Sequence, residues 1–176
     1  MIVDPKPGDW FVVRTDGTIA KLIRWVTQSS VNHAGVYIGN GQIVEARFSG
    51  AGYASVSKYN NALWSTDNLP ARLTPTDIQR DAIAKEAIRL VGTKYGAIDI
   101  VAIGFAQRKL GSFVKSDLPL AKQPWYIKRL ARSDRLICSQ LVDLVLDRSG
   151  IHLYNDDRPT GLVSPENLRE FLIKNI

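Results

Sequence analysis

A single cysteine and one of only two histidines stand where a thiol catalyst would need them. Cys138 opens a stretch of helical periodicity, Cys138-Ser139-Gln140-Leu141-Val142. His33 opens a strand-like run, His33-Ala34-Gly35-Val36-Tyr37-Ile38-Gly39. A histidine on a strand facing a cysteine at a helix N-terminus can generate a thiolate near neutral pH. The imidazole takes the proton, and the helix dipole favours the anion left behind.

Each residue also has a plainer reading. Leu141, Val142 and Val145 lie three, four and seven positions after Cys138, so the thiol shares their apolar stripe. Free cysteine packs as a small hydrophobe, and the stripe alone would explain it. The first helical turn argues for chemistry, because its unpaired N–H groups can hold a thiolate or an oxyanion. Strand alternation puts His33, Gly35, Tyr37 and Gly39 on one face. The two glycines leave room beside the histidine for another backbone or a ligand. His152, the rival base, lies beyond the far end of the helix that Cys138 starts, roughly 16 Å away or more at 1.5 Å per residue.

A third member depends on a turn. With a two-residue Asn40-Gly41 loop, Val36 pairs with Glu45, and Glu45 faces away from His33. With a three-residue Gly39-Asn40-Gly41 loop and Gly41 left-handed, Gly35 pairs with Glu45. The carboxylate then shares the His33 face one diagonal step away. There it would fix the tautomer and stabilise the imidazolium. Local sequence leaves both registers open.

The elements that must position these residues follow in order. Pro7-Gly8-Asp9 is a turn, and Trp10 to Arg14 a first strand. A helix follows Asp16-Gly17-Thr18, with Ile19, Leu22, Ile23 and Val26 as its apolar positions. Strands Ala34–Ile38 and Gln42–Arg47 form a hairpin, and Ser49 to Arg72 supplies short strands and loops. Thr74-Pro75 starts a second helix, with Pro75 at its first position and Gly92 as its stop. Ala97–Ala106 is apolar nearly all round and reads as a buried helix. A helix over Cys138–Ser149 closes at Gly150, and Ser164-Pro165 caps a last one with Leu168, Phe171 and Leu172 inward. The pattern is α+β, with helices on a small antiparallel sheet in a single domain over residues 1–176.

Composition narrows the classes. One cysteine excludes an internal disulfide, and with two histidines it makes a zinc site a poor expectation; no metal and no cofactor is expected. The start, Met1 to Lys6, lacks a signal peptide's features, and no apolar run nears the ~20 residues of a membrane span. The expected location is cytoplasmic, with carriage on a virus particle or another export route as the alternatives. The net charge of +6 sits in one place. Between Ala106 and Arg135 eight basic residues, including Lys128, Arg129 and Arg132, face two acids, Asp117 and Asp134. This aperiodic segment, about 107–135, reads as an insertion or lid bordering the cleft. With Trp125 and Tyr126 it suits an anionic wall polymer or membrane surface; nucleic acid is the weakest candidate.

The ordered set His33-Ala34-Gly35-Val36-Tyr37-Ile38-Gly39, Ile43-Val44-Glu45-Ala46 and Ile137-Cys138-Ser139-Gln140-Leu141-Val142 resembles the circularly permuted NlpC-like enzymes. These are the YiiX/YaeF-like group of papain-fold amidases, relatives of the lecithin–retinol acyltransferase type. Pro7-Gly8-Asp9, Gly92-Thr93-Lys94-Tyr95-Gly96 and Val163-Ser164-Pro165-Glu166 look like family elements too. The resemblance implies a permuted papain-like fold, in which histidine precedes cysteine and a polar residue twelve positions after the histidine, here Glu45, completes the triad. It therefore implies the three-residue loop. It also implies a thiol hydrolase acting on peptide amides, cell-wall peptides first and lipid acyl groups second. Tyr95, Ser139 and Trp125 are the candidate substrate-binding residues. The alternatives are a lipid acyl hydrolase or acyltransferase, or a non-catalytic module binding anionic lipid or polymer.

Overall fold

The computed structural model describes residues 4–66, 68–96, 135–154 and 163–174. The expected helix at 97–106, Trp125 and the basic segment up to Asp134 lie outside the described residues. Strands β1 (Trp10–Val13), β2 (His33–Gly39), β3 (Gln42–Arg47), β4 (Gly50–Ser55) and β5 (Leu63–Trp64) form one antiparallel sheet in the order β4-β3-β2-β1-β5. Helices α1 (Thr18–Thr27), α2 (Asp77–Arg89), α3 (Cys138–Arg148) and α4 (Pro165–Ile173) complete the α+β arrangement with a short parallel pair, β6 (Lys94–Tyr95) and β7 (Arg135–Leu136). Among the described residues no helix is long and apolar enough to cross a membrane.

Alternation along the strands sorts two cores. Trp10, Val12, Ala34, Val36, Val44 and Ala46 face one side, where they pack with Ile83, Leu141, Val142, Val145, Leu168 and Leu172 from the helices. Phe11, Val13 and Ile43 face the other, under Tyr59 and Trp64. The Phe11 ring lies 5.3 Å from that of Tyr59 and 4.9 Å from that of Trp64. A fully buried leucine such as Leu141 would cost about 2–5 kcal/mol on truncation to alanine.

Helix starts follow side-chain acceptors. Thr76, not Thr74, caps α2: its hydroxyl accepts from the Gln79 N–H, and the Gln79 side chain accepts from the Thr76 N–H. The reciprocal cap moves the start past Pro75, which precedes the cap residue instead of opening the helix. Ser164 and Asn167 form the same arrangement at α4, with Pro165 at its first position.

Two glycines permit close contacts that no other residue would. At Gly8, φ is +88° and a Cβ would lie 2.9 Å from the Arg80 backbone, so the Pro7-Gly8-Asp9 turn packs directly on α2. At Gly50, φ is +108° and a Cβ would lie 2.9 Å from the Thr93 carbonyl. Beside it the Ala51 and Gly92 N–H groups donate to Thr93 and Ala51 in turn, which pins the 92–93 turn to β4. Tyr95 follows two residues later and pairs with Leu136, two residues before Cys138.

Candidate active site

His33 begins β2, and its backbone is fixed by Asn32. The Asn32 side chain accepts from the Thr15 N–H (2.9 Å) and from the buried Arg24 guanidinium (2.8 Å), and it donates to the Thr15 hydroxyl (2.7 Å). The loop before α1 is thereby locked to the start of the strand. The space that Gly35 leaves beside the histidine is filled by the Phe11 ring, since a Cβ there would meet it at 2.9 Å.

The hairpin combines features of both expected registers. Asn40 (φ +53°) and Gly41 (φ +71°) are both left-handed, as a two-residue type I′ turn requires, and Gly39 pairs with Gln42. Yet Gly35 still pairs with Glu45, because the register shifts between Tyr37 and Gly39. The extra residue is a bulge in β2, with Gly39 at φ +97°, and not a third loop residue. The three-residue loop is thus corrected, while the side of the sheet it implied for Glu45 is the side observed.

That register places Glu45 against His33, with Nε2 2.5 Å from Oε2. The carboxylate is fully buried. Oε2 also accepts from the Tyr59 hydroxyl (2.5 Å), while Oε1 faces Arg47 Nε (2.9 Å) and Lys58 Nζ (3.5 Å). Burial pushes the Glu45 carboxyl up, but the His33 hydrogen bond and charge, with Tyr59 and Lys58, hold it down at about 2. Burial drives the Tyr59 phenol upward, reinforced by its bond to Glu45, so it stays a donor.

Cys138 reaches the start of β2 from the opposite face of the sheet, where α3 packs. Its side chain is buried, with Sγ 3.8 Å from the Asn32 carbonyl. Cys138 lies close enough to the His33 ring to raise it, as Glu45 does, while the thiol's own hydrogen bond runs to the Asn32 carbonyl. Nε2 being taken by Glu45, Nδ1 is the nitrogen left for sulfur. Burial favours neutral imidazole, but bonds and charge from Cys138 and Glu45 outweigh it and raise His33 to about 9. At neutral pH the ring is therefore an imidazolium paired with the Glu45 carboxylate. The residue before Cys138 is Ile137, whose side chain has no acceptor for the first-turn N–H groups of α3, while the Gln140 side chain accepts from the Ile137 N–H (3.0 Å).

A cleft of about 960 Å³ opens beside His33, lined also by Tyr59, Arg47, Lys58, Phe48 and Tyr95 among others, while Cys138 and Glu45 stay buried. Tyr95 is half-buried in its wall, with its ring 5.1 Å from that of Phe48. Burial pushes its phenol up, and the charge of Cys138 adds to this.

Of the residues expected from sequence, Cys138, His33, Glu45 and Tyr95 come together. Ser139 does not join them: it is fully buried and its hydroxyl donates to the Val163 carbonyl (2.7 Å), so it ties α3 to the segment before α4 instead of contacting a substrate. Trp125 lies outside the described residues. His152 pairs with Asp147 at 2.7 Å on the exposed far end of α3. Glu166, of the closing family-like segment, accepts from Ser29 and from the Ser30 N–H and pairs with Arg169, which outweigh burial and hold it down at about 2. Sequence reasoning missed Tyr59, Arg47 and Lys58. Tyr59 and Lys58 sit in an aperiodic stretch, and Arg47 alone carried a signal, as a charge two positions from Glu45 on the same strand face.

Among solved structures the chain is similar to the metalloprotein YiiX of Escherichia coli O157:H7, at 17% sequence identity and a TM-score of 0.49, over 85% of this chain and 69% of that one. No family model matches the sequence, and no curated protein matches it.

Proposed function

We propose that this chain is a thiol-dependent hydrolase of amide or ester bonds, built on a permuted papain-like fold and working through an acyl-enzyme on Cys138. One observation carries the reading: a buried cysteine at a helix start lies beside a histidine that it helps to raise, and the histidine ring is hydrogen-bonded to a buried, ionised carboxylate. A structural thiol has no need of a charged histidine, and a buried charge costs stability unless it is paired.

In this mechanism the Cys138 sulfur attacks the substrate carbonyl as His33 holds the thiol proton. The oxyanion that forms is met by the backbone N–H of Cys138 at the positive end of α3. His33 then protonates the leaving amine or alcohol, the C–N or C–O bond breaks, and a thioester remains. Water, deprotonated by His33, attacks the thioester and releases the acid. Glu45 does not exchange the proton; it holds the ring with Nδ1 toward sulfur and stabilises the imidazolium. Tyr95 lines the cleft as a substrate contact or second donor to the oxyanion.

Peptide amides are the first substrate class. A lipid acyl group is the second reading, favoured by Phe48, which is 55% exposed on the cleft wall. The test is capture of the intermediate. Incubation with a panel of activated acyl esters and peptide amides, followed by acid quench and peptide mapping, should find a thioester on Cys138 that hydroxylamine removes. Hydrolysis that persists in Cys138→Ala would show that the nucleophile is elsewhere, and no adduct from any substrate would favour a binding module.

A further inference from the structure

We propose that Arg47 and Lys58 form a subsite for a carboxylate carried by the substrate, close to the carbonyl that Cys138 attacks. This rests on Cys138 being the attacking group and adds what the substrate must carry.

A single carboxylate, Glu45, is surrounded by His33 on one oxygen and by both Arg47 and Lys58 on the other. Its one negative charge is matched by the imidazolium, so among the described residues two further cations stand on the cleft wall with no other acid paired to them. Arg14 and Asp16, also on that wall, offset each other. A Cys138 thiolate would balance one of the two, which leaves a single positive charge facing the cleft. That residue of charge matches a monoanion.

Donor geometry points the same way. Arg47 approaches Glu45 through Nε at 2.9 Å, an ion pair without hydrogen-bond geometry, and no contact of its two terminal nitrogens is found among the described residues. A guanidinium with a free edge binds a carboxylate through two parallel N–H···O bonds. Lys58 holds one long contact to Glu45 and sits over the Tyr59 ring at 5.2 Å, which leaves ammonium hydrogens to donate. Both side chains are partly exposed, at 41% and 45%, so they can meet a ligand without leaving their places. Their backbones are built in: Arg47 ends β3 paired with Gly50, and Lys58 closes a short 3₁₀ turn capped by Ser55.

The test compares two alkylating reagents of nearly equal size, iodoacetate and iodoacetamide, each of which transfers a carbon to the Cys138 sulfur as iodide leaves. The ratio of their rate constants isolates anion recognition, because changes in the thiol or in His33 move both rates. The ratio should fall about fivefold or more in the Arg47→Gln/Lys58→Gln double variant, and less in either single variant. N-acetylglycine at fixed ionic strength should protect the native protein against iodoacetamide and should not protect the double variant. Fast iodoacetamide labelling with a ratio indifferent to both substitutions overturns the subsite alone. Protection by inorganic phosphate and not by N-acetylglycine overturns the choice of carboxylate. Labelling by neither reagent faster than in the unfolded chain overturns the catalytic reading and the subsite with it.

Discussion

Two acids are buried in this sheet, Asp9 and Glu45, and they are held in different ways. Asp9 accepts only from permanent donors: the Arg80 guanidinium (2.7 Å), the Thr66 hydroxyl (2.9 Å) and the Lys6 N–H (2.8 Å). Those bonds fasten the N-terminal turn to α2 and to the loop after β5, and none of them needs to change. Glu45 spends one oxygen on Tyr59, which stays a donor, and on His33, which can gain or lose a proton and which Cys138 also helps to raise. On the proposed mechanism the contrast separates a fastener from a working carboxylate. Burial alone does not make an acid functional; what matters is whether its partner must change charge.

The largest expected effect is at the sulfur. Cys138→Ala and His33→Ala should each lower turnover by about 10³-fold or more while the far-UV spectrum and melting stay near native. Full activity in either variant would end the account of the site.

Asp9→Asn should do the reverse. It leaves Arg80 facing a neutral partner in a nearly dry site, so stability should fall by about 3 kcal/mol by urea titration, with activity per folded molecule unchanged. If activity falls in proportion and stability does not, the division between the two acids is wrong.

Glu45→Gln should fall between. We expect kcat to drop by roughly 10–100-fold, since orientation and charge are lost but the base remains. The pH profile carries the sharper signal. The carboxylate helps raise His33 to about 9, so its removal should move the alkaline limb of activity to lower pH. A limb that stays in place would mean that another group sets it.

Stability should follow the same pair with a definite sign. Glu45 lies below its ordinary value of 4.5, so its contribution is complete above about pH 4.5 and is lost as pH falls towards 2. His33 lies above its ordinary 6.5, so its contribution is complete below about pH 6.5 and is lost as pH rises through 9. Urea midpoints should therefore be highest between these limits, and Glu45→Gln should flatten both flanks. The smallest effect is expected for Tyr59→Phe, a loss of a few-fold in kcat with the acid flank of stability shifted upward, because Glu45 loses one of the donors that keep it ionised.

Much of this was legible in the chain. The strands, the helix from Cys138 and the Ser164 cap follow from periodicity and from residue type at element starts. The position of Glu45 was not, because a one-residue bulge at Gly39 decides which face it takes, and turn chemistry at Asn40-Gly41 is satisfied either way. Ser139 was misread because proximity to a nucleophile in sequence says nothing of direction; its helical position turns it toward Val163. Tyr59 was invisible because it comes from a loop after β4, brought to Glu45 by tertiary packing on Phe11.

The most direct test is the pH dependence of Cys138 alkylation by iodoacetamide in the native protein and in His33→Ala. The account predicts rapid labelling that persists at pH 6, where His33 is fully charged, and loss of that acid-side reactivity when His33 is removed. Labelling that rises only towards alkaline pH, and is the same in both proteins, would show that the histidine does not activate the sulfur and that the site is not a thiol catalyst.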